Sequence, residues 1–97
     1  MKCGWVYIMS NGAHGTLYTG VTSDLARRVQ QHRDGDGSEF CRKHGLTRLV
    51  YAEPYDRIED AIVREKRIKE WQRQWKLRLI RAQNPDWRDL YDDLAYL

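Results

Sequence analysis

Cysteine is scarce in this chain. There are two, Cys3 and Cys41, in 97 residues, and they form no CxxC pair and no Cys/His cluster. A disulfide-stapled scaffold is thereby excluded, and both side chains read as reduced thiols of a cytoplasmic protein. Long apolar runs are missing too. None approaches the roughly 20 residues that a membrane span needs, and the N-terminus shows a strand-like pattern where a secretory signal would show a hydrophobic region. No internal repeat, low-complexity tract or long linker divides the chain, and its length leaves no room for a second domain. Residues 1–97 are therefore expected to form one domain. A strong excess of one charge is also lacking: 17 Lys and Arg against 14 Asp and Glu leave +3, with a pI near 9.0. That balance suits a nucleic-acid partner without requiring one.

What is present is the composition of a soluble globular protein, 41% hydrophobic and 32% charged. Four Trp and six Tyr suggest a core built from a few large side chains. A domain of this size buries only about 60–70% of its unfolded surface.

Gly4 to Met9 is rich in aromatic and β-branched residues and reads as a strand. Ser10 to Gly15 is turn chemistry, and Thr16 to Val21 reads as the second arm of a hairpin. A helix follows, with Thr22 and Ser23 as cap candidates and Asp24 suited to its positive end. Leu25 and Val29 lie one turn apart on it, and Asp34 to Ser38 ends it in a loop. Leu46 to Glu53 predicts a third strand, stopped by Pro54. Beyond it the pattern is helical. Ile58, Ala61, Ile62, Glu65, Ile68, Trp75 and Leu79 fall near one stripe, with a break around residues 71–74. Trp71 and Trp75 read as core. Asn84-Pro85 marks a stop and restart, with Pro85 in the first turn of a short last helix carrying Trp87, Leu90, Tyr91 and Leu94. The order β-β-α-β-α-α predicts an α+β fold, a three-stranded antiparallel sheet flanked by helices.

Glu65 is the anomaly in the stripe. Three residues after Ile62 and three before Ile68, it falls on the apolar face, where an unpaired carboxylate is costly. Either it ion-pairs at the stripe edge, with Lys69 one turn on, or it faces a polar cavity and holds a cation. Arg28 and His32, four apart, share one face of the first helix. They read either as a solvated basic face or as a phosphate-binding Arg beside a proton-handling His. Tyr7 and Tyr18 lie on adjacent hairpin strands, as cross-strand packing or as phenols reaching a polar pocket. Gly20 permits close backbone approach, or marks a bulge. From Arg64 to Arg81 there are eight Lys or Arg and two Glu, which is either a solvated face or a phosphate track.

Taken together, Val6-Tyr7-Ile8, Tyr18-Thr19-Gly20, Arg28 ten residues after the second Tyr, His32 one turn later and Glu65 on the next long helix resemble the GIY-YIG nuclease superfamily. The resemblance runs from about Trp5 to Trp87 and is nearest to the small stand-alone bacterial members, whose helical segment resembles Glu65 to Trp71 followed by Asn84-Pro85-x-Trp87. The first motif's Gly is replaced by Trp5, and Thr19 stands for an aliphatic residue. The resemblance implies a divalent-metal-dependent DNA endonuclease, related to repair and selective for DNA structure. Tyr7, Tyr18, Arg28, His32 and Glu65 would be its catalytic residues, with Tyr7 as the general base. Glu65 would ligate Mg²⁺ or Mn²⁺, Gly20 would be structural, and Arg27, Lys66, Lys69, Arg73 and Lys76 would contact DNA. With no room for a targeting domain, a protein partner for targeting is a further expectation. The competing expectation is a module on the same fold that binds nucleic acid or protein without catalysis.

Overall fold

The computed structural model describes residues 2–96. Strands β1 (Gly4–Ser10) and β2 (Leu17–Thr22) form the hairpin, and helix α1 (Leu25–Arg33) follows. A short helix α2 (Glu39–His44) precedes β3 (Arg48–Tyr55). Helices α3 (Ile58–Lys69) and α4 (Arg73–Gln83) come next, and a 3₁₀ helix spans Leu90–Tyr96. The sheet order is β2-β1-β3, antiparallel throughout, so the expected α+β sandwich is the fold.

Alternation along β1 divides the core. Tyr7 and Met9 point to one face, where Leu25 and Val29 of α1, Cys41 of α2 and Leu46 cover them. Val6 and Ile8 point to the other, against Ala61 and Ile68 of α3 and Ile80 of α4. The cross-strand pairs are Tyr7 with Gly20 and Met9 with Tyr18, so both tyrosines share the α1 face. A register shift between Ile8 and Met9 marks the pairing with β3, while Gly20 sits in regular pairing, not in a bulge.

Several expectations need correction. Asp24, not Thr22 or Ser23, caps α1: its carboxylate accepts from the Arg27 amide at 3.2 Å. Helix α2 lies in a stretch with no legible period, because six residues make under two turns. Its boundary signals are Ser38, whose hydroxyl accepts from the Phe40 and Cys41 amides, and Gly45 at its end. β3 runs through Pro54, which pairs opposite Trp5; as the edge strand it can carry a residue without an N–H. The helical break is real, between Lys69 and Arg73, and it resets the stripe. Ile62 is left 37% exposed and Trp75 51% exposed, so Trp75 is not core; Trp71 is half-buried. Pro85 is not in a helix. After Asn84 the chain turns through Trp87, buried at φ 54°, before the 3₁₀ helix begins.

That turn is held by buried Asn84, whose side-chain amide donates to the Val50 and Arg88 carbonyls and whose carbonyl accepts from the Arg88 amide. Asp89 then accepts from the Leu49 amide and pairs with Arg33 of α1 at 2.8 Å, fastening the tail across β3 and α1.

Candidate active site

The site begins with a phenol lying flat over a strand. Tyr7 is fully buried, and a Cβ placed on Gly20, its cross-strand partner, would stand 2.5 Å from the Tyr7 hydroxyl and Cζ. Any side chain there would displace the ring. The Tyr-x-Gly spacing therefore supplies one tyrosine of the pair and the floor under the other. A second glycine, unnoticed in the sequence, performs the same service for the histidine: a Cβ on Gly37 would sit 2.4 Å from His32 Nδ1.

On that floor the Tyr7 hydroxyl and His32 Nε2 are 2.9 Å apart. Ring centroids are 5.6 Å apart for Tyr7–His32 and for Tyr18–His32, and 6.4 Å for Tyr7–Tyr18. Phe40 of α2 stacks on Tyr18 at 6.2 Å and walls the site from outside. Its role was hidden with the helix that carries it.

Electrostatics follow from burial. Desolvation pushes the Tyr7 phenol well above its ordinary range, and Tyr18 adds to the rise; the nearby Arg28 guanidinium pulls the other way without prevailing. Burial thus outweighs Arg28 at the Tyr7 phenol. His32 is 3% exposed, and burial first, then Arg28, hold its imidazole below the usual value, so it is neutral at pH 7. Nδ1 of that ring is buried without a hydrogen-bond partner among the described residues. A neutral imidazole against a protonated phenol is a pair through which a proton can pass.

Glu65 stands on α3, which packs on β1 and β2 from the face opposite to α1. Its side chain is 13% exposed and pairs with Lys69 at 3.5 Å, the arrangement foreseen as the plainer alternative. The Lys69 ammonium lies 5.8 Å from the centre of the Tyr18 ring. Glu65 is thus linked to Tyr18 through Lys69 alone, and among the described residues no hydrogen bond or ion pair joins it to Tyr7, Arg28 or His32. Among the described residues no three His, Cys, Asp or Glu side chains cluster as a metal cage. One half-buried carboxylate fits Mg²⁺ or Mn²⁺, which keep several waters, and does not fit a metal demanding three protein ligands.

The basic residues divide. Arg27 is exposed and, with Arg28, Thr22, Ser23, Asp24 and Gln31, lines a polar depression of about 270 Å³ beside the site. Lys66 is exposed. Arg73 donates to the His14 and Gly15 carbonyls at 2.7 Å. Lys76 donates to the Lys69 carbonyl at 3.4 Å, and burial, then Arg73 and Lys69, lower its pKa. Lys69, Arg73 and Lys76 are thus mutually repelling neighbours.

A three-stranded antiparallel sheet flanked by helices carries two tyrosines, a histidine and an arginine on one face. The chain belongs to the GIY-YIG catalytic domain family, a nuclease family, which it matches over residues 3–78. Among its relatives are UPF0213 proteins of Staphylococcus aureus. SAV0488 of strain Mu50 and SACOL0530 of strain COL are each 40% identical over 81 residues, covering 84% of this chain and 98% of the relative. Among solved structures, the chain is similar to the UPF0213 protein BH0048 of Bacillus halodurans, determined by solution NMR. The TM-score is 0.56 at 30% identity, covering 89% of this chain and 90% of that one. Among the described residues, no helix is long and apolar enough to cross a membrane.

Proposed function

We propose that this chain is a divalent-metal-dependent, structure-selective DNA endonuclease that hydrolyses phosphodiester bonds at the Tyr7–His32 site. The observation that carries this reading is the 2.9 Å contact between a buried phenol and a neutral imidazole, with Arg28 beside it. A phenol this reluctant to ionise is a weak base alone. Coupled to His32 it need never exist as a free phenolate: its oxygen takes the proton of the attacking water while its own proton passes to His32 Nε2. Arg28 binds the scissile phosphate and balances the charge that gathers on it in the transition state. Tyr18, partly exposed beside His32, orients the water or the phosphate. Glu65 would hold the cation in place of its pair with Lys69. When bound, the cation supplies polarisation of the phosphate and stabilisation of the leaving 3′ oxygen.

The test is to incubate the pure protein and its Glu65→Gln form with branched, nicked and linear DNA in Mg²⁺ or Mn²⁺. Cleavage by the wild type and a loss of about 1,000-fold or more in the variant, at unchanged fold, is the expected outcome. DNA binding by both forms with cleavage by neither would make the chain a non-catalytic module.

A further inference from the structure

We propose that the flank of α4 carrying Trp75 is a stacking platform for an unpaired DNA base, with the adjoining phosphate held by Arg78. The choice of DNA as the polymer rests on the nuclease reading; the platform itself rests on the following observations.

Trp75 is the largest exposed apolar side chain among the described residues, 51% accessible, while Trp87 is buried and Trp5 and Trp71 are half-buried. It is held in place. The Trp71 ring meets it edge-on, with centroids 6.2 Å apart and planes at 76°. Trp71 is in turn covered by the Arg64 guanidinium at 5.0 Å, and Arg64 is locked to Glu53 at 3.0 Å. A ring oriented by such a chain of contacts loses little freedom when a ligand stacks on it. Trp71, Trp75, Arg78 and Leu79 line an open depression of about 400 Å³, room for a nucleobase.

Charge decides among occupants. Helix α4 carries Arg73, Lys76, Arg78 and Arg81 and no acidic residue. A second copy seated on this flank would oppose like charges across a two-fold axis, which argues against self-association. A polyanion with apolar faces matches both the arginine and the indole, and base stacking on an aromatic ring tolerates any base. Position agrees. Lys76, one residue on, reaches Lys69, which lies against Glu65 and Tyr18. Successive residues on a helix are about 100° apart. A strand leaving the site along Lys69 and Lys76 therefore meets Trp75 on the adjoining flank.

The experiment measures binding of a short labelled oligothymidylate and of a flush-ended duplex by fluorescence anisotropy in EDTA, for wild type, Trp75→Ala and Trp75→Phe. Circular dichroism melts of each variant run alongside. Trp75→Ala should weaken oligothymidylate binding about 5- to 100-fold, leave duplex binding within twofold, and melt as the wild type does. Trp75→Phe should keep most of the affinity. Unchanged oligothymidylate binding in Trp75→Ala would overturn the platform. So would equal losses on both DNAs, or wild type that dissociates on dilution where Trp75→Ala is already monomeric. Cleavage by Glu65→Gln separates the two claims: if that variant cuts like wild type while Trp75→Ala loses the oligomer, the nuclease site is wrong and the platform stands.

Discussion

Two clusters in this molecule use the same kinds of residues and end in different states. One sits on β3: Tyr51, Tyr55 and Arg64 surround Glu53. Both phenols donate to that carboxylate and the guanidinium adds a third bond, 3.0 Å long. The other sits at the opposite edge: Tyr7, Tyr18, Arg28 and His32, with Glu65 on α3 linked to Tyr18 through Lys69. There, among the described residues, the carboxylate has one half-exposed lysine at 3.5 Å, and a buried imidazole nitrogen has no partner. Arg64 and Glu65 are neighbours on α3, about 100° apart, and each serves a different cluster. The acid with three donors is structural, since its charge is already balanced within the fold. The acid that is under-bonded retains capacity for a ligand.

Exchanging each acid for its amide should produce the largest separation. Glu53→Gln deprives two phenols and a guanidinium of a charged acceptor, and a loss of about 2–4 kcal/mol is expected in urea denaturation. Glu65→Gln removes only a loose, partly exposed pair and should shift the same midpoint by about 0.5 kcal/mol or less. Equal losses would erase the distinction. Next in size is Gly20→Ala. Its Cβ cannot share space with the Tyr7 ring, and overpacking of this kind costs about 1–3 kcal/mol. The ring would be pushed off His32, so DNA cleavage per folded molecule should fall along with the melting temperature. A variant that melts lower and cuts normally would show that Tyr7 is only packing.

The smallest effect is a slope with pH. His32 in the folded protein sits below the ordinary value of 6.5, so between the two values the unfolded chain binds a proton that the native state refuses. Stability is then full above pH 6.5 and declines as pH falls toward the folded value. Glu53 is also held low: burial opposes its ionisation, but the two phenols and Arg64 outweigh burial, so its contribution is lost only as pH falls below the ordinary 4.5. Denaturant midpoints measured from pH 7.5 to 5.5 should therefore decline in the wild type and stay flat in His32→Gln. A decline that persists in His32→Gln would assign it to another group.

How much of this was legible varies residue by residue. Tyr7, Tyr18 and Gly20 could be placed because strand pairing across a short hairpin leaves few registers. Arg28 and His32 could be placed because four residues on a helix return to one face. Helix α2 could not, being too short to show a period, and with it went Phe40, which leans on Tyr18. Gly37 looked like loop filler, because the ring it makes room for is five residues away along the chain and meets it only in the folded state. Trp75 was misassigned because a helical stripe was extended across a break that restarts the phase.

The sequence by itself determined the three strands, the first helix and the long helical stretch after β3, the faces on which Tyr7, Tyr18, Arg28 and His32 lie, and the oddity of a carboxylate at position 65, because these follow from local periodicity and pairing. Tertiary structure alone decided the balance of energies. It set burial above Arg28 at the Tyr7 phenol and filled Glu53 while leaving Glu65 loosely paired. It also turned Trp75 outward. Desolvation and saturation depend on what the rest of the chain places around a group, and no local pattern carries that information.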